Sequence, residues 1–239
     1  MVAPASNIFV EGIYTIEEAA HLARVKPRSL RRWLDGEGGK EPALLRRIPK
    51  NDAGALGFVD LVQAMAVRAI RQKEIKSARG KDPVIVSLQK LRKTVEEAER
   101  LGIQYPFARR HKTYLFRDDV VIEFEDGTLI TVTGEYRQQH LMKPVVELYL
   151  EDLSFDPHSG LANEYVPLRD TNDERRVVIR PTLKYGAPVV MPSGFAVSSL
   201  VDAVDSEGSI AAAADMYEVD EADIKLALRY EDILAGSAA

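Results

Sequence analysis

None of the 239 residues is a cysteine. That excludes disulfides, thiolate metal sites and cysteine nucleophiles, and it fits a reducing compartment. Histidine is scarce as well: His21, His111, His140 and His158 stand far apart and form no H-x-x-x-H pair, so their pattern favours packing or surface roles over metal binding. The chain has no run of eighteen apolar residues that could span a membrane, and its start, MVAPASNIFVEG, lacks the basic and apolar stretches of a secretion signal. We therefore expect a soluble, cytoplasmic protein without membrane contact. Phosphate loops are missing too, because GEGGK and RGK carry glycine and lysine without the strand and spacing of a P-loop. Acids at Asp118, Asp119 and around Asp220 to Asp223 read as caps or solvated charge. No nucleophile stands beside a base, so the expectation is a protein that is not an enzyme and takes no cofactor or metal.

The acidic half of the chain is short of basic residues. Residues 113 to 239 hold 10 lysines and arginines against 24 aspartates and glutamates, whereas residues 1 to 112 hold 22 against 13. A balance of +9 in the first half is the electrostatic footprint of polyanion binding. The second half, at −14, is repelled by the same polyanion and needs another role.

Local patterns predict a mixed α+β chain in three parts. Thr15 and Glu18 form a T-x-x-E capping box that opens a helix over about 16 to 24. Pro27 suits the first turn of a second helix and Gly36 its stop. Within that helix Leu30, Trp33 and Leu34 share one face, and Arg28, Arg31 and Arg32 lie opposite. ALLRRIP, followed by the turn NDAG at 51 to 54, reads as one strand of a small wing. A third helix is expected over 58 to 71, with Asp60 as a possible cap, and a fourth from the Ser87 cap to the Gly102 stop. The fourth carries a narrow seam of Leu88, Leu91, Val95 and Ala98 on an otherwise charged helix, which makes it the candidate dimer interface of a homodimer; the alternative is that the seam covers the chain's own sheet. After Pro106 the period shifts to two, and alternation on both sides of Asp126-Gly127 predicts a hairpin within 120 to 134. Strand patterns continue through VVELYLEDLSFDP, YVPL and RRVVIRP, and the chain is helical again from Pro192. The parts are residues 1 to 103, a helix-turn-helix with a wing; 104 to 174, an antiparallel β region; and 175 to 239, a small helical, helix-turn-helix-like unit.

A basic face opposite a buried stripe is what a DNA-reading helix requires. The candidate DNA contacts are Lys26, Arg28, Ser29, Arg31 and Arg32, assisted by Arg46, Arg47 and Lys50 in the wing. A-x-x-A-x-V-K-P-R-S-L-R-R-W, residues 20 to 33, resembles the winged helix-turn-helix of MerR-type regulators, whose recognition segment commonly reads V-S-P-R-T-L-R-Y-Y. The chain departs from them in lacking cysteine ligands and in its basic break at 75 to 83.

Residues 175 to 234, from RRVVIRP through G-A-P-V-V to A-L-R-Y-E-D-I-L, are similar to a small antitoxin-associated domain. Together with QYPF at 104 to 107 and the DDVVIEFEDG hairpin, the chain resembles VapB-type antitoxins of VapBC toxin-antitoxin pairs. The resemblance implies a PIN-domain (VapC-type) ribonuclease as partner, operator DNA as a second partner, and autoregulation of the shared operon. It also implies a basic group that enters the nuclease's carboxylate cluster, for which Arg175, Arg176 and Arg180 are the candidate toxin-binding residues. The alternative is a one-component transcription regulator whose second half binds a small effector.

Overall fold

Residues 58 to 67 are buried without a break, Asp60 and Gln63 among them. A helix buried all round belongs in the middle of a core, and this one, α3 (Phe58–Gln72), packs against the elements before and after it. The structure, a computed structural model, describes residues 9–37, 41–45, 54–72, 75–76, 83–84, 86–116, 119–124, 127, 129–131 and 152–236. Ahead of α3 come α1 (Ile16–Leu22) and α2 (Pro27–Asp35), and α1 lies against both α2 and α3. The Gly57 N–H donates to Asp60 Oδ2 at 2.9 Å, so Asp60 caps α3 from its first turn.

A short β1–β2 pair (Ile75–Lys76 with Pro83–Val84) leads to α4 (Leu88–Arg100), capped by Ser87, whose Oγ accepts from the Lys90 N–H. A 3-10 turn, Pro106–Ala108, inserts Phe107 against α3. The antiparallel sheet β3 (His111–Phe116), β4 (Asp119–Phe124) and β5 (Leu129–Thr131) follows, with Val121 opposite Thr131, so β4 and β5 pair as the hairpin expectation requires; the predicted turn residue Asp126 lies outside the described residues.

The second sheet is five-stranded and antiparallel throughout, in the order β10-β9-β8-β7-β6. Its strands are β6 (Leu153–Phe155), β7 (Ala162–Arg169), β8 (Arg176–Ile179), β9 (Val189–Met191) and β10 (Phe195–Ala196). In β8 Val177, Val178 and Ile179 are all buried, as a central strand covered on both faces requires. α3 packs on β7, and α7 (Glu221–Ala235) packs on β8 and β9; α5 (Val197–Glu207) and α6 (Ile210–Tyr217) complete the helical end. The chain is thus α+β, as the patterns imply.

Two structural findings bear on the expectations. The first is the dimer interface: within a single chain Leu91, Val95 and Ala98 are 0%, 5% and 0% exposed, and Leu88 is half-buried. α4 lies on β4 and β5, so the chain's own sheet fills the seam expected to pair two subunits. A charged helix with a narrow apolar stripe needs one partner, and a sheet with one apolar face serves as well as a second helix. The second is the boundary between residues 174 and 175. It falls inside the β7–β8 hairpin, where Arg169 pairs with Arg176, and buried side chains from Tyr14 to Leu234 form one continuous core.

Candidate nucleic-acid interface

The first helix of the interface is set by its cap. The Glu18 N–H donates to Thr15 Oγ1 at 3.1 Å and the Thr15 N–H donates to Glu18 Oε2 at 2.7 Å, completing the capping box. α1 stops at Leu22, two residues earlier than its pattern suggests, because the chain turns through Arg24 at φ 56°. The Val25 N–H closes that turn on the Ala20 carbonyl at 2.9 Å. Pro27 then opens α2, and Lys26, its N-cap, provides no side-chain cap. The helix start therefore presents the Lys26 and Arg28 charges.

Burial divides α2 as the spacing predicts. Leu30, Trp33 and Leu34 are 1%, 4% and 5% exposed, whereas Lys26, Arg28, Arg31 and Arg32 lie in solvent and Ser29 is half-buried. After Gly36 the chain returns beneath the helix: the Leu44 and Leu45 N–H groups both donate to the Trp33 carbonyl, at 2.7 and 2.8 Å. Gly36 has φ 78°, and a Cβ there would meet the Glu41 carbonyl oxygen at 2.3 Å, so no other residue fits the return. Leu44 and Leu45 are buried at a bend, not paired in a strand as the wing reading requires; the rest of that reading, with Arg46, Arg47 and Lys50, lies outside the described residues.

Carboxylates already hold two of the three arginines. Arg31 pairs with Glu17 of α1. Arg32 pairs through Nε with Glu37 at 2.9 Å and through Nη2 with Glu41 at 3.5 Å. Glu41 also takes the buried Arg92 of α4 at 2.8 Å. Arg28 and Lys26 have no ion-pair partner among the described residues.

The candidate toxin contacts are placed differently from one another. Arg175 reaches from the β7–β8 turn to the start of α7, where its Nε bonds Asp223 Oδ1 at 2.8 Å and its Nη2 bonds Asp220. The Asp220 and Asp223 bonds hold this guanidinium more firmly protonated than usual. Arg180 pairs with Glu164, its Nε at 2.9 Å. Arg176 is exposed at the first position of β8. The structure thus joins Arg175 to Asp220 and Asp223 and does not bring the three arginines into one cluster.

A bond between distant parts of the chain has no counterpart in the sequence reading. The buried Tyr14 hydroxyl donates to the Gly186 carbonyl at 2.9 Å, and burial pushes that hydroxyl well above the usual tyrosine range, with Glu18 adding to the shift. Lys184, Tyr185 and Gly186 all have positive φ, leaving Tyr185 86% exposed. Beside them a cavity of about 450 Å³ opens between α1 and the C-terminal helices, with His21 facing Glu231 at 3.8 Å across its rim. Among the described residues no group of three or more histidines or carboxylates is arranged to hold a metal ion, and no helix is long and apolar enough to cross a membrane.

No family model matches the chain, and a search of the curated proteins finds no match. Among solved structures, the X-ray crystal structure of Rv2018 from Mycobacterium tuberculosis is similar to it, with a TM-score of 0.61 and 20% identity over 92% of this chain and 99% of that one. At that identity the likeness is one of fold, and it extends over nearly the whole of both chains.

Proposed function

We propose that the chain is a DNA-binding antitoxin that represses its own operon through α2 and neutralises a PIN-domain ribonuclease through its acidic half. One observation carries the reading: α2 turns Leu30, Trp33 and Leu34 inward and offers Lys26, Arg28, Arg31 and Arg32 to solvent. In a winged helix-turn-helix this is the helix that enters the major groove, where arginine is the side chain best shaped for guanine edges and phosphates. The basic balance of residues 1 to 112 supports polyanion binding, and the −14 of the remainder supports a protein partner there. Of the three candidate arginines, Arg176 presents its charge most openly, since Arg175 and Arg180 are engaged by carboxylates of the chain itself. Two chains on one operator belong to the reading, joined by a surface other than the α4 seam.

Coexpression with the product of the neighbouring reading frame, followed by copurification and a gel shift on the upstream DNA, tests it. A nuclease that copurifies and loses activity, together with a retarded operator, is the expected result; a chain that binds neither refutes the reading. A second reading, a one-component regulator, is favoured by the cavity of about 450 Å³ between α1 and the C-terminal helices, which is large enough for a small effector. It predicts operator binding that changes with a metabolite and needs no protein partner.

A further inference from the structure

The cavity between α1 and the C-terminal helices is lined by three tyrosines, Tyr14, Tyr185 and Tyr230, and two carboxylates, those of Glu18 and Glu231. They reach it from separate parts of the chain: Tyr14 and Glu18 from the entry to α1, Tyr185 from the turn at 184 to 186, and Tyr230 with Glu231 from α7. Ile13, Leu22, Val197 and Leu234 supply apolar wall. At about 450 Å³ the space equals roughly fifteen waters of liquid, at about 30 Å³ each, which is room for a ring bearing a short alkyl chain.

Tyr230 is the least exposed of the polar groups on this wall. Its side chain is 2% exposed, yet among the described residues its hydroxyl has no hydrogen-bond partner, whereas the Tyr14 hydroxyl donates to Gly186. Buried hydroxyls are ordinarily paired, so an unpaired one on a cavity wall is a place for a ligand atom. The carboxylates give the space its sign. Both bonds that the Thr15 side chain and N–H make to Glu18 go to Oε2, and Glu231 faces His21 at 3.8 Å, beyond hydrogen-bond reach. Burial, and after it Glu18, raises the proton affinity of the Tyr14 hydroxyl; burial, then Tyr165, Glu231 and Tyr14, raises that of Tyr230, against the charge of Arg24. Lys184 also lines the cavity, but it is exposed in the turn, where water screens it, and it is not among the charges acting on either tyrosine. Tyr185 is 86% exposed beside it, held by a backbone at φ 54° that a large side chain enters only with strain. An exposed ring on the rim of a negative cavity offers its face to a cation.

We propose that the cavity binds a small amphipathic organic cation, a protonated amine on an apolar body, its nitrogen drawn to the Glu231 carboxylate and the Tyr230 hydroxyl oxygen. An ammonium has donors only, and both of these groups accept, so one ligand atom pairs the buried hydroxyl and satisfies the carboxylate. The body of the ligand covers the apolar wall, and the tyrosine faces add to the attraction. The inference deepens the one-component reading, on which it rests for the regulatory role of the cavity, by giving the effector its chemical class.

Isothermal titration calorimetry of the full chain with phenethylamine, 2-phenylethanol and phenylacetate, close in size and different in charge, tests the proposal. Phenethylamine should bind about tenfold more tightly than the alcohol, and phenylacetate more weakly than either. Glu231→Gln should remove most of the amine's advantage and leave the alcohol's affinity unchanged. Tyr185→Gly removes the exposed ring, eases the left-handed backbone and should weaken the amine roughly three- to fivefold. No binding of the amine, phenylacetate bound as tightly as the amine, or an advantage that Glu231→Gln retains in full overturns the proposal. If Glu231→Gln does not fold, Tyr185→Gly decides, and an amine affinity that it leaves unchanged overturns the proposal. Operator binding with and without phenethylamine is read separately. An operator affinity that bound amine does not change refutes the one-component reading and leaves the site standing, and loss of the site leaves DNA binding by α2 untouched.

Discussion

The Tyr14 hydroxyl donates to the Gly186 carbonyl, joining residues 172 positions apart. Gly186 has φ 78°, and a Cβ on it would stand 2.2 Å from the Tyr14 hydroxyl oxygen. Gly186→Ala should therefore lower stability by roughly 3 kcal/mol, through the clash and the left-handed backbone together. Tyr14→Phe removes only the hydrogen bond and should cost about 1 to 2 kcal/mol. Urea unfolding of both variants checks the order; equal losses would mean that the close approach at Gly186 contributes nothing.

Two arginines of α2 are held by exposed carboxylates, so DNA must displace those partners before it can use them. Glu17→Gln releases Arg31 and Glu37→Gln removes the closer of the two partners of Arg32, and each should tighten operator binding two- to five-fold, the scale of an exposed ion pair. Glu41 is a poor choice, since it also holds the buried Arg92. Three arginines set on phosphates contribute a slope of roughly −3 per chain to log K against log salt. Arg28→Ala should flatten the slope by about one, and titration by fluorescence anisotropy at several salt concentrations measures both effects.

Leu91 is fully buried under β4 and β5. Leu91→Lys should not give a folded monomer from a dimer. It places an ammonium where no water reaches, costing about 4 kcal/mol or more, and should unfold the α4 region. Circular dichroism with light scattering separates the outcomes, and a well-folded variant of smaller size would contradict the burial.

His111 is buried, with Nδ1–H donating to the Arg109 carbonyl, and desolvation lowers its pKa to about 4. Unfolded, the group titrates near 6.5. Between pH 6.5 and 4 the unfolded chain therefore binds the extra proton. The stability that the neutral ring contributes is present in full above pH 6.5 and is lost as the pH falls toward 4. The loss is about 3 kcal/mol over that window. Urea midpoints at pH 7, 5.5 and 4.5 should fall in that order, with a shallower fall in His111→Gln.

Much of the fold was legible because it is set locally. The Thr15–Glu18 box, Pro27 with Gly36, and Ser87 with Gly102 each mark a helix end within four residues of the helix they bound, and all stand where the patterns put them. The alternation within 120 to 134 likewise fits the pairing of Val121 with Thr131. What covers an apolar stripe is another matter. Leu91 and Val95 announce that α4 needs a partner without naming it, and a sheet supplied by the same chain satisfies the pattern as well as a second subunit. At the candidate interface the α2 arginines were legible from helical spacing, but their carboxylate partners were not. Glu17 lies 14 residues from Arg31, and Asp223 lies 48 from Arg175, with nothing local to mark either pair. Leu44 and Leu45 are ambiguous for a related reason, since two adjacent apolar residues in a polar loop can belong to a strand or to a buried bend.

The Tyr14 bond also bears on the order of events at the ribosome. The chain leaves amino terminus first, at about 5 to 20 residues per second. Tyr14 thus emerges well before the carbonyl it will meet, and at that speed the delay is roughly 10 to 30 s. Over that interval the basic helices are completed before α5, α6 and α7, which follow Gly186 in the chain.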